Sequence, residues 1–136
     1  MSGTGESIAE LKKFMTPSVW MVKPNVTLYE TCRLMREHRS SYLVIEDHGK
    51  PVGILLEEDI VRRAVPENFD LKTTLAREIM CTPAPTIESH RTMEDVNSLM
   101  KIRGCRVLVI VEDDKIVGAI TLLGLLWCLE SRGKRF

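Results

Sequence analysis

The sequence predicts an α+β protein made of two pseudo-symmetric copies of one strand, helix, strand, strand, helix unit, and three observations carry that prediction. The first is a repeat. Sliding residues 15–61 onto 80–126 without a gap matches Met15, Thr27, Leu34, Met35, Leu43, Val44, Ile45, Lys50, Val52 and Gly53 to Met80, Thr92, Leu99, Met100, Leu108, Val109, Ile110, Lys115, Val117 and Gly118. Ordinary residue usage gives roughly three identities over such a length by chance. The second is a helix-start signal at the same point of each copy, Thr27 with Glu30 and Thr92 with Asp95, where a hydroxyl and a carboxylate three residues on satisfy orphan amide donors. The third is a pair of β-rich runs around a turn, again in both copies.

Each element has its own justification. Each copy opens on a short strand ahead of its helix cap. Behind the first cap, Leu28, Cys32 and Met35 recur at helical spacing; Val96, Leu99, Met100 and Arg103 do so approximately in the second copy, and these faces are the expected core. Tyr42 to Glu46, a turn at Asp47-His48-Gly49-Lys50, and Pro51 to Leu56 read as a hairpin, repeated by Val107 to Val111, Glu112 to Lys115 and Ile116 to Thr121. Glu57, Glu58 and Asp59 suit the first turn of a helix, where carboxylates complement the positive end of its dipole, and Ile60 to Ala64 continue it. The counterpart, Leu122 to Leu129, is almost wholly apolar. Gly53 and Gly118 inside strands signal a bulge or a close backbone approach.

The repeat divides the chain into a lead segment (1–14), a first copy (15–65), a connector at the surface (66–78), a second copy (79–130) and a basic tail (131–136). A copy of this size buries little by itself, so the two are expected to share a core. Nineteen basic residues balance nineteen acidic ones, which removes the field that draws a protein to nucleic acid or to an anionic membrane. Cys32, Cys81, Cys105 and Cys128 are scattered, and with His38, His48 and His90 they complete no metal-ligand spacing, so reduced thiols in a cytoplasmic protein and no metal are expected. Met1 to Glu10 carries no apolar core of signal-peptide length, and the most apolar stretch, Ile116 to Leu129, is too short to span a bilayer. No nucleophile with a base, carboxylate pair or metal cluster suggests an enzyme.

Met15-Thr16-Pro17, the run His38 through Asp47, Gly53 to Asp59, and Gly118 to Thr121 together resemble the CBS domain, named for the regulatory tail of cystathionine beta-synthase and found as tandem pairs called Bateman modules. The resemblance covers about residues 14 to 130. It implies two repeats packed through their sheets, two clefts that in many members hold AMP, ADP, ATP, S-adenosylmethionine or a similar adenosine derivative, and a sensing rather than catalytic role. In ligand-binding members a hydroxyl residue after the hairpin glycine meets phosphate, and an aspartate three residues on grips the ribose hydroxyls. The chemistry is sound, since a carboxylate accepts from vicinal hydroxyls and a helix N-terminus presents free N–H groups to an anion.

By that resemblance the first cleft draws on Thr16, Val19, Trp20, Ser41, Tyr42 and Asp59, and the second on Ala84, Pro85, Arg106, Val107 and Thr121. Each copy has lost one half of the motif. The first has Asp59 but Leu56 in place of the hydroxyl; the second has Thr121 but Gly124 in place of the aspartate. Loss of a charged hydrogen bond weakens binding by roughly ten- to a hundredfold. The acidic trio favours a neutral or cationic adenosine in the first cleft, and Thr121 with Arg106 a phosphorylated nucleotide in the second. Trp20 or Tyr42 is a candidate to stack on a purine. Plain structural roles compete: Asp59 as a dipole-complementing residue, Thr121 as an N-cap, Arg106 as a solvated side chain. Two functions follow as expectations. One is a sensor, with no cofactor required, that acts on an effector protein in trans or through a homodimer. The other is a dimerisation scaffold with degenerate clefts, joined through Leu122, Leu123, Leu125, Leu126 and Trp127.

Overall fold

The computed structural model describes residues 10–133, so residues 1–9 and the tail residues Lys134, Arg135 and Phe136 lie outside the described residues. In chain order the elements are helix α1 (10–14), β1 (Met21–Val22), α2 (Leu28–His38), β2 (Tyr42–Asp47), β3 (Lys50–Leu56), α3 (Glu57–Asp59) continued by a π-helical turn (Ile60–Ala64), α4 (Ala76–Ile79), β4 (Thr86–Glu88), α5 (Met93–Arg103), β5 (Val107–Glu112), β6 (Lys115–Thr121) and α6 (Leu122–Ser131). They form two three-stranded sheets, β1-β2-β3 and β4-β5-β6, each with one parallel and one antiparallel pairing.

The two sheets are the same object twice. Val44 N–H donates to the Trp20 carbonyl (3.0 Å) and Val109 N–H to the Pro85 carbonyl (2.8 Å); Glu57 N–H donates to Ser41 (2.9 Å) and Leu122 N–H to Arg106 (2.8 Å). Both hairpins turn on two residues with positive φ, His48-Gly49 and Asp113-Asp114, the backbone that matches the twist of paired strands. Both slip register one residue beyond a glycine partner, at Ile45/Glu46 and Ile110/Val111.

Repeats and compact units do not coincide. Described residues 10–18 and 85–133 form one unit, here the split unit, and Val19–Ala84 form the other, the contiguous unit. The lead residues of each copy pair with the far hairpin: Thr16 exchanges two backbone hydrogen bonds with Ala119 (2.7 and 3.0 Å), and Cys81 exchanges two with Ile54 (2.8 and 3.0 Å). This exchange explains the strand glycines. A Cβ on Gly118 would lie 2.7 Å from the Thr16 carbonyl oxygen, and one on Gly53 would lie 2.9 Å from the Cys81 carbonyl oxygen. Close backbone approach and a neighbouring bulge both apply.

Each unit has its own core, in place of the single core the sequence suggested the copies would share. In the split unit Leu11, Met93, Val96, Met100, Leu108, Ile110, Ile120, Leu125 and Cys128 pack together; in the contiguous unit Leu28, Met35, Leu43, Ile45, Leu55, Ile60, Ala64, Ala76 and Ile79 do so. Three local expectations need correction. The second-copy helix buries Met93, Val96 and Met100 but leaves Arg103 exposed. The Thr27 cap is half a box: its hydroxyl accepts the Glu30 N–H (3.2 Å), while the Glu30 carboxylate pairs with Arg33 (3.4 Å). Thr92 and Asp95 form the full box, at 3.0 and 3.1 Å. The segment 66–78 is more than a surface connector. It holds the start of α4, where Ala76 is buried, and binds back through Leu28 N–H to Thr74 (2.9 Å) and Ala76 N–H to Val26 (2.7 Å).

Candidate functional site

The contiguous unit gathers its candidate residues where β1, β2 and α3 meet. Trp20 precedes β1, Ser41 and Tyr42 open β2, and Asp59 closes α3. The half-buried Asp59 makes no capping bond; its carboxylate accepts from the Cys81 thiol at 3.3 Å. A thiol is a weak donor, so the carboxylate keeps most of its accepting capacity. Burial, then the hydrogen bond to Asp59, push the Cys81 thiol pKa up, which keeps it protonated and donating. Beside it the Arg63 guanidinium donates to the Ile79 carbonyl, and Arg62 pairs with Glu58 at 3.3 Å, offsetting part of the acidic trio.

The aromatic candidates separate. Tyr42 is buried opposite Leu56 on β3 and forms part of the packing. Trp20 is exposed, and one ring face stacks on His38, with centroids 3.5 Å apart and planes 11° from parallel. Val19 is half-buried and Ser41 exposed.

Thr16 belongs to the split unit, beside Ala119, because the lead segments are exchanged. Its counterpart Cys81 takes the place next to Asp59, with Thr82, whose hydroxyl donates to the Val52 carbonyl at 2.9 Å. Neither residue was singled out from the sequence, although Cys81 stands 65 positions after Thr16 and the period alone pointed to it.

In the split unit, Pro85, Arg106, Val107 and Thr121 converge with Thr16 at the start of α6; Ala84 falls on the other side of the division, as the last residue of the contiguous unit. Pro85 and Val107 are buried, and Arg106 is exposed. Thr121 is the N-cap of α6, its hydroxyl accepting the Gly124 N–H at 3.2 Å. Position 124 has no room for the family's aspartate. A Cβ there would lie 2.9 Å from the Phe14 carbonyl oxygen and 2.8 Å from Ile120 Cδ1. Four residues on, Cys128 is fully buried, and burial pushes its thiol up to about 11, with a smaller contribution from Glu10.

A third feature was not legible in the motifs: a groove of about 360 Å³ in the split unit, lined by β4 residues Thr86, Ile87 and Glu88, by Arg91, and by Asp95, Ser98, Leu99 and Ile102 of α5. Among the described residues no group of three or more His, Cys, Asp or Glu side chains is placed to hold a metal ion, and no helix is long and apolar enough to cross a membrane.

The CBS domain family model matches residues 8–66 and again 76–130. The chain belongs to the CBS domain family. Its two CBS repeats mark it as a regulatory, ligand-binding kind of module. The CBS domain-containing protein YhcV of Bacillus subtilis is 30% identical over 115 residues, 85% of this chain and 81% of that protein. An uncharacterized protein of Methanopyrus kandleri is 32% identical over 105 residues, and the matched stretch spans 54% of its length. Among solved CBS structures, an uncharacterized conserved protein from Pyrococcus horikoshii superimposes with a TM-score of 0.78 at 30% identity, covering 93% of both chains. A hexameric CBS-CP12 protein from bloom-forming cyanobacteria gives 0.82 at 25% identity over 93% of this chain and 72% of its own.

Proposed function

We propose that this CBS protein is a sensor of an adenosine derivative, and that the contiguous unit carries the principal site, around Asp59. The observation that carries this reading is the contrast at equivalent positions. Asp59 is half-buried and its carboxylate accepts from a weak thiol donor, whereas Gly124 is sealed against the Phe14 carbonyl. A carboxylate in that state can accept both hydroxyls of a ribose. Three carboxylates in the first turn of α3 favour a neutral or cationic adenosine, such as S-adenosylmethionine or methylthioadenosine, over a polyphosphate. Binding biases the chain toward one conformation or association state, and so acts on an effector protein in trans without catalysis. The reading includes a homodimer and a cytoplasmic location.

A thermal-shift panel of AMP, ADP, ATP, S-adenosylmethionine, methylthioadenosine and NADH on the nucleotide-stripped protein tests it. A ligand at 100 times its dissociation constant adds about 2.7 kcal/mol of stability. The expected shift is abolished by Asp59→Ala and kept by Thr121→Ala. No shift at millimolar ligand removes the sensor reading.

The scaffold reading keeps one supporting observation: Leu122, Leu123 and Trp127 are exposed on α6. Leu125 leaves that set, since it is 2% exposed and belongs to the core. Sedimentation that shows only the 15.5 kDa species counts against association in either reading.

A further inference from the structure

We infer that the groove between β4 and α5 of the split unit is a docking site for an extended peptide that carries an apolar residue and, two positions on, a basic one. The inference is independent of the adenosine reading.

The main-chain argument comes first. β4 is an edge strand, paired with β5 alone. In its parallel ladder Val109 N–H donates to Pro85 and Ser89 N–H to Val111, with Ile87 opposite Ile110, so Pro85, Ile87 and Ser89 face β5. Thr86 and Glu88 therefore turn their main-chain groups away from the sheet. The Glu88 carbonyl is taken by the Arg91 N–H (3.0 Å), which leaves the Thr86 N–H, the Thr86 carbonyl and the Glu88 N–H unused by β5, on two residues that line the groove. That donor, acceptor, donor row is what an added strand pairs with.

The side-chain argument fixes the chemistry. An extended segment presents alternate side chains to one face, so residues two apart enter the groove together. One wall is Leu99 and Ile102, and Ile102 is 82% exposed, the most exposed large apolar side chain in the described protein. The charged lining is two carboxylates, Glu88 and Asp95, against one guanidinium, Arg91, an excess of one negative charge. An apolar residue suits the first and a basic residue the second.

The other repeat has different chemistry at the equivalent positions. At the positions of Ser98 and Ile102 it has Arg33 and Glu37, and Arg33 bridges Glu30 (3.4 Å) and Glu37 (3.8 Å) across the helix face. Lys23, beyond the equivalent strand, pairs with Glu46 at 2.6 Å. The split unit carries a small hydroxyl and an exposed isoleucine where the contiguous unit carries that charged ladder.

The test uses a fluorescein-labelled peptide, Gly-Ser-Ile-Thr-Arg-Thr-Gly-Ser, in fluorescence anisotropy with the full chain. Saturable binding is expected. It should weaken by at least about tenfold with the Arg replaced by Glu, with all peptide amides N-methylated, and with the double variant Ser98→Arg, Ile102→Glu, whose melting temperature should match wild type because both residues are exposed. No saturation up to millimolar protein overturns the proposal. So does equal binding by the double variant, or displacement of the peptide by free arginine at the peptide's own concentration, which would make the groove a small-molecule site. If the double variant changes only the sedimentation coefficient, the groove is a contact between copies and the proposal fails.

Discussion

The two ends of the repeat period carry the same backbone and opposite chemistry. At one end Asp59 accepts from Cys81 and Arg63 donates to Ile79; at the other the equivalent positions are Gly124, pressed on Phe14, and Cys128, fully buried. Duplication supplied two corners, and divergence made one a packing joint while leaving the other polar and open. A symmetric fold is therefore no guide to how many sites a molecule has. The departures from symmetry are.

The contrast can be broken most severely by Gly124→Asp, which restores the family residue. It should destabilise by about 3 kcal/mol or more in urea unfolding, because a buried charge meets a carbonyl oxygen already in van der Waals contact. A stable variant that gains nucleotide affinity would refute the packing joint. Gly118→Ala and Gly53→Ala should each cost about 1–3 kcal/mol, with Gly118→Ala the larger. Its Cβ meets the Thr16 backbone at 2.7 Å, whereas Gly53 meets first the flexible Met80 side chain.

A smaller effect comes from pH. The Cys128 thiol is raised from about 9 in an unfolded chain to about 11 by burial, so its contribution is complete below about pH 9 and is lost as pH rises toward the folded value. Between about pH 9 and 10 wild type should lose about 1 kcal/mol more than Cys128→Ala, read from urea midpoints at each pH. Smallest in stability is Asp59→Ala, within about 0.5 kcal/mol of wild type, because its partner is a weak donor. Its whole effect should appear in ligand-dependent melting.

Much of the fold was legible because its signals are local. Thr27 and Thr92 mark helix starts, the hairpin turns fall where Asp, His, Gly and Lys cluster, and the period ties the copies together. What escaped was set by long-range pairing. Nothing local in Met15-Thr16 says that it meets Ala119, so Thr16 was grouped with residues of the other unit. Gly124 read as a missing ribose contact, and the Phe14 carbonyl adds a steric reason for glycine that only the fold reveals. The β4 groove was invisible for the same reason, since Ser98 and Ile102 gain meaning only beside an edge strand.

The exchanged lead segments also set an order of assembly. The Cys81 to Ile54 pairing closes 27 residues of chain, and the Thr16 to Ala119 pairing closes 103. The longer closure costs about 1.2 kcal/mol more in chain entropy. It also requires both flanks of an intervening unit to be in hand. During synthesis the contiguous unit can therefore complete itself as soon as Ala84 has emerged, with its Asp59 corner assembled, while α1 waits for β6 and α6. The polar corner is the early product of folding, and the packing joint is the last piece to lock.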